Sequence, residues 1–181
     1  RPTTGGAKTT SSATRKINVK DIALPKGYKI EAVASGLTFP TGIAFDDQGD
    51  AYVVESGYSY GETWTQPRLL KLSKNGDHKV IATGEKNGPW NGLTFHDSNF
   101  YIAEGGELEG GKILKVSKSG EIQALVDGLP SIGDHHTDGP VVIDHYVYFG
   151  QGTATNSGVV GEDNAKFGWL KRHPEFHDIP C

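Results

Sequence analysis

The chain has 181 residues, 25 of them glycine, which is the length of one ordinary domain and the composition of a turn-rich protein. Its formal charge of −4 gives no electrostatic case for binding nucleic acid or an anionic membrane surface. No apolar run approaches the roughly 18 to 20 residues that span a bilayer as a helix.

Residues 1–23 open the chain with a polar stretch, Thr3-Thr4-Gly5-Gly6 through Thr9-Thr10-Ser11-Ser12-Ala13-Thr14, which has almost nothing to bury and reads as a solvated linker. Such a stretch fits a chain from which an export signal has been removed, or one cut from a longer precursor, and it points to a secreted or periplasmic protein. Cys181 is the only cysteine, so no disulfide forms within the chain.

From residue 24 to 151 the same phrase recurs three times. Gly42-Ile43-Ala44-Phe45 leads to Ala51-Tyr52-Val53-Val54-Glu55, and Gly92-Leu93-Thr94-Phe95 leads to Phe100-Tyr101-Ile102-Ala103-Glu104. Gly139-Pro140-Val141-Val142 leads to Tyr146-Val147-Tyr148-Phe149-Gly150-Gln151. The glycines Gly42, Gly92 and Gly139 stand 50 and 47 residues apart. A period near 50 made of short strands and glycine turns predicts β-propeller blades.

In chain order, residues 28–35 read as a fourth strand that closes the ring by completing the last blade. A full blade spans 36–84 and a second spans 84–128, with third strands Arg68–Leu72 and Lys112–Val116 and fourth strands His78–Ala82 and Glu121–Val126. The third strands alternate long basic and apolar residues, as half-buried strands do. Hairpins close them at Lys74-Asn75-Gly76-Asp77 and Lys118-Ser119-Gly120-Glu121, where Asn-Gly favours a two-residue turn. Residues 128–151 are the first half of a third blade. Residues 152–181 have loop composition and read as an insertion over one end. The fold class is thus all-β: a propeller, with about two and a half blades in this chain. A partial ring leaves open sheet edges and an apolar wall, so the remaining blades are expected from a longer chain or from partner chains.

Ligands of propellers usually meet the loops at one end of the central channel, which directs attention to the segments ahead of the first strands. Gly133-Asp134-His135-His136-Thr137-Asp138 is the richest in ionisable groups. Histidine titrates nearest neutrality and can take a proton from an alcohol when a carboxylate orients it, so His136, aided by His135, is the candidate base with Asp134 and Asp138 beside it. The same groups can instead serve blade-to-blade hydrogen bonds. Adjacent histidines rarely reach one ion, and no zinc spacing is present, so no metal ligands are assigned. Trp90 either stacks on a sugar or cofactor ring or fills the gap between blades. Glu55, Glu104 and Gln151 hold equivalent positions and read as structural or channel-lining before catalytic.

Leu24-Pro25-Lys26-Gly27-Tyr28 through Leu37, then Pro40-Thr41-Gly42-Ile43-Ala44-Phe45, resembles the opening of the glucose/sorbosone dehydrogenase family. Gly128-Leu129-Pro130 followed by Asp134 to Gly139 is similar to that family's catalytic-histidine loop. The resemblance implies a six-bladed propeller oxidoreductase that uses PQQ and calcium on a small sugar or alcohol. It makes His136 the general base, leaves His135 as the other candidate, and places Asn87, Trp90, Asp134 and Asp138 toward the cofactor. The rival from another class is a non-catalytic propeller that acts as a binding or scaffold subunit of an extracellular assembly. A calcium lactonase ranks last, because it would want a glutamate where the chain has Thr38 to Thr41.

Overall fold

The computed structural model describes residues 18–57, 65–106, 109–131 and 135–152, with Lys171 and Pro174 besides. The opening stretch 1–17, Asp134, Cys181 and nearly all of the expected insertion lie outside the described residues.

Ten strands follow a short 3-10 turn at Val19–Asp21: β1 Pro40–Phe45, β2 Ala51–Glu55, β3 Arg68–Leu72, β4 His78–Thr83, β5 Trp90–His96, β6 Asn99–Glu104, β7 Gly111–Ser117, β8 Ile122–Leu129, β9 Thr137–Ile143 and β10 Tyr146–Gln151. They form two four-stranded antiparallel meanders, β1-β2-β3-β4 and β5-β6-β7-β8, and a two-stranded sheet of β9 and β10. The described residues are therefore an all-β, propeller-type arc of two blades and the first half of a third.

The first strands β1, β5 and β9 pack side by side, so they form the inner rim of the arc. The repeated glycines sit at that contact. A Cβ on Gly42 would stand 2.9 Å from the Leu93 nitrogen, and one on Gly92 would stand 2.9 Å from the Gly139 Cα. Gly92 and Gly139 also carry φ of +70° and +57°, a region that other L-residues enter at a cost. Register breaks recur at matching points, between Pro40 and Gly42, between Asn91 and Leu93, and between Tyr148 and Gly150. The period of the sequence is thus the period at which neighbouring backbones touch.

Between blades one and two the core is Tyr52, Val54, Leu69 and Ala82 on one side, with Trp90, Phe100, Ile102, Leu114 and Val116 on the other. The Tyr52 and Phe100 rings are 4.3 Å apart at their centroids. Because side chains alternate along a strand, Ile43, Phe45 and Val80 fall on the opposite face of blade one and are exposed. At the other end of the arc, Val141, Ile143, Tyr146 and Tyr148 are paired across β9 and β10 and are each at least half exposed. Both walls expected of an open arc are present among the described residues.

One expectation meets a different outcome. The loop at Lys74-Asn75-Gly76 has three residues, because Ser73 pairs with Asp77 while the Gly76 N–H donates back to the Ser73 carbonyl and Gly76 takes φ +87°. Asp47-Gln48-Gly49 and Lys118-Ser119-Gly120 use the same device, with φ of +79° and +93° at their glycines. The third-position glycine, with its positive φ, selects this bulged loop over the two-residue turn. Residues 28–35, expected to pair with a last blade outside this chain, have no strand partner among the described residues, and Tyr28 and Val33 are exposed. Ala32 to Ser35 run beside the Asn75–His78 turn, and the Val33 carbonyl crosses close over Gly76.

Candidate functional site

The start of each first strand and the end of each second strand lie at one end of the arc. There each blade fastens its entry loop to the last residue of its second strand. In blade one, Glu55 accepts the Thr38 N–H at 2.6 Å and the Arg68 Nε–H at 2.8 Å. In blade two, Glu104 Oε1 accepts from Asn87 Nδ2 at 2.9 Å, and its Oε2 accepts from Trp90 Nε1 at 3.1 Å. Lys112 Nζ lies 3.4 Å from the same carboxylate. In blade three, Thr137 Oγ1 lies 2.9 Å from Gln151 Oε1. Glu55 and Glu104 are buried, so their oxygens need these donors, and the sequence reading of this position as structural matches what they touch.

Neighbouring blades are then tied by the residue directly ahead of the repeated glycine. Thr41 Oγ1 donates to the Trp90 carbonyl at 2.7 Å, and Asn91 Nδ2 donates to the Thr137 carbonyl at 3.4 Å. Asp138 occupies the same position in blade three. An ionised carboxylate cannot donate, so it cannot continue this series toward a carbonyl.

Asn87 and Trp90 do structural work. Asn87 is buried, donates also to the Gly110 carbonyl at 3.0 Å and accepts the Glu109 N–H at 2.7 Å. Trp90 is fully buried, and its ring fills the space over Gly84, where a Cβ would stand 2.7 Å from Trp90 Cε2. That is the gap-filling alternative for this indole.

The histidine loop enters β9. Thr137 is fully buried, His136 is half-buried and Asp138 is exposed. The alternation sends Thr137 into the blade and puts His136 and Asp138 on the other side of the chain together. His136 packs on Gly105, where a Cβ would stand 2.9 Å from the His136 Cβ, so Gly105 is what admits the histidine. His135 is exposed and lies against Gly152, at the end of β10. His135, His136 and Asp138 thus lie in sequence at the entry to β9, with His136 against Gly105 and His135 against Gly152, while Asn87 and Trp90 are inside blade two.

Sequence reasoning missed Ser131 and Thr137. Both are fully buried; Ser131 Oγ donates to the Gly105 carbonyl, and Thr137 Oγ1 lies 3.0 Å from Ser131 Oγ. The signal was present, since Ser131 and Thr137 stand in the repeat where Gly84 and Trp90 stand one blade earlier. Among the described residues the groups whose ionisation the fold shifts, Asp46, Tyr52, Lys71 and Lys118, lie away from this loop, toward the β1–β2 and β7–β8 turns.

No family model matches the chain, and no curated protein matches it. Among solved structures it is similar to the PQQ-bound form of an aldose sugar dehydrogenase from Streptomyces coelicolor, at 14% identity and a TM-score of 0.47. That likeness covers 64% of this chain and 38% of that one, so the chain spans well under half of that protein's length. It is a distant structural relationship, and it assigns neither substrate nor cofactor here.

Proposed function

We propose that these blades belong to an exported propeller oxidoreductase acting on the hydroxyl of a small sugar or alcohol, with His136 as general base. The observation that supports this is the burial along the entry to β9, where Thr137 is fully buried while His136 is half-buried and Asp138 is exposed. A neutral imidazole there takes the hydroxyl proton, and a carboxylate two residues along stabilises the imidazolium that forms. His135, exposed beside Gly152, is the alternative base on the same loop. Further blades covering Val141, Ile143, Tyr146 and Tyr148 complete the ring in this reading.

PQQ and calcium come to this reading from the family resemblance. PQQ carries three carboxylates and calls for cations. The basic residues that open the third strands are engaged, Arg68 with Glu55 and Lys112 with Glu104 and Glu109, which leaves exposed Lys86 ahead of β5. Among the described residues no group of three or more His, Cys, Asp or Glu is placed to hold a metal ion. The described residues do not by themselves fit either group, and the hydride half of the oxidation is not assigned to them.

The test is dye reduction by the complete protein, with the remaining blades present, supplied with PQQ, calcium and an aldose. Turnover is expected and His136→Asn is expected to abolish it, with the melting temperature of the parent retained. Turnover that survives His136→Asn overturns the base assignment. Absence of turnover in the parent favours the scaffold reading, which has its own support: Glu55, Glu104, Asn87 and Trp90 all spend their polar groups on bonds inside their own blades.

A further inference from the structure

We infer that Ser131 and Thr137 are positioning residues for the histidine loop, an inference that takes its catalytic meaning from the reading of His136 as base. They bracket residues 132–136 in the sequence, so whatever fixes these two ends fixes where the histidines leave the sheet. The Ser131 N–H donates to the Leu129 carbonyl at 2.8 Å and its hydroxyl donates to the Gly105 carbonyl, in the blade before. With its proton spent there, Ser131 Oγ is left to accept, and the Thr137 hydroxyl lies 3.0 Å away and also 2.9 Å from Gln151 Oε1.

Three features make this more than packing. The carbonyl that Ser131 grips belongs to Gly105, the residue on which His136 rests, so one backbone unit receives both the anchor and the histidine. Gly111 has no room for a Cβ, which would run into the oxygens of both Ser131 and Thr137, so blade two is shaped around this hydroxyl pair. The preceding joint has Gly84 and Trp90 at the same two positions, neither of which carries a hydroxyl, so the repeat does not need this pair to join blades. Directional bonds replace an apolar plug only where the loop carries histidines. Neither hydroxyl is exposed, so neither touches substrate.

The experiment compares Thr137→Val, which keeps shape and removes the hydroxyl, with Thr137→Ser, which keeps it, and with Ser131→Ala. The readouts are the His136 ring C–H resonances, assigned by their loss in His136→Asn, amide exchange at residues 135–137, and steady-state kinetics. Thr137→Val is expected to displace the His136 resonances, speed the exchange and lower kcat by about a hundredfold with little change in KM, while Thr137→Ser restores all three. A folded Thr137→Val with parental His136 resonances and exchange overturns the inference. Should Thr137→Val not fold, Ser131→Ala decides by the same resonances. If His136→Asn keeps turnover while Thr137→Val still moves the His136 signals, the base reading fails and the positioning stands.

Discussion

The two joints of the arc solve one problem with different chemistry. Where blade two meets blade one, Trp90 lies fully buried against Gly84 and hands its single N–H to Glu104. Where blade three meets blade two, Thr137 and Ser131 occupy the same positions in the repeat and link to Gln151 and the Gly105 carbonyl. The first joint combines buried ring area with a carboxylate that also holds Asn87 of the entry loop. The second gives up that area for bonds that only one geometry satisfies. A histidine-bearing loop belongs to the second joint and not to the first, so the change of chemistry coincides with the arrival of the histidines.

Breaking the first joint gives the largest expected effect. Trp90→Ala removes the plug from a closed site and should cost about 3–5 kcal/mol in denaturant unfolding. Thr137→Ala removes far less volume, so a cost equal to that of Trp90→Ala would mean that the two joints do not differ in kind.

Glu104→Gln and Gln151→Glu sharpen the same contrast at the fastening residue. In blade two both carboxylate oxygens accept, one from Asn87 and one from Trp90. An amide offers one acceptor and turns a donor toward one of these groups, leaving a buried N–H unsatisfied at about 1–3 kcal/mol. Gln151 is exposed, so Gln151→Glu should change unfolding by less than about 0.5 kcal/mol. Equal costs in the two blades would dismiss the distinction.

The architecture was legible because the blade is a repeat, and a repeat states its period in glycines and aromatics. The boundaries of β2 and β3 follow the sequence reading, because alternation and a glycine-rich connection delimit them. The turns were less legible: Asn75-Gly76 advertises a two-residue hairpin, yet the glycine lies third in the loop, as in Asp47-Gln48-Gly49. The rim was legible in its ionisable residues and not in its hydroxyls. His135 and His136 draw attention by chemistry, whereas Ser131 and Thr137 look like loop filler until they are set against Gly84 and Trp90. Asn87 misleads for another reason. Its placement toward the cofactor comes from the family resemblance alone, and burial reveals that blade two uses its amide internally.

The smallest expected effect lies at the far end of the first joint, where the blades are clasped by charge. Lys118, on the loop after β7, reaches the carboxylates of Asp46 and Asp47 on the loop after β1, with its Nζ 5.1 Å from the centre of the Phe95 ring. Burial by itself would raise the Asp46 carboxyl, but the Asp50 and Gln48 N–H groups and Lys118 outweigh it and hold it below its ordinary 3.8. Hydrogen bonding to Asp47, with Asp46 beside it, outweighs the opposing effect of burial and raises Lys118 above 10.5. Asp46 therefore contributes stability that is present above about pH 3.8 and is lost as pH falls through its lowered folded value. Lys118 contributes stability that is present below about pH 10.5 and is lost as pH rises through its raised folded value. Thermal melts of Lys118→Met across this range should show a smaller acid loss than the parent, because the two backbone N–H groups still lower Asp46 without the lysine. The alkaline loss should shrink but persist, since Lys71 is raised in the same way by its hydrogen bond to Asp50. An acid limb identical to that of the parent would show that Lys118 does not reach Asp46 in solution, and the charged clasp would then be absent from the joint that Trp90 holds at its other end.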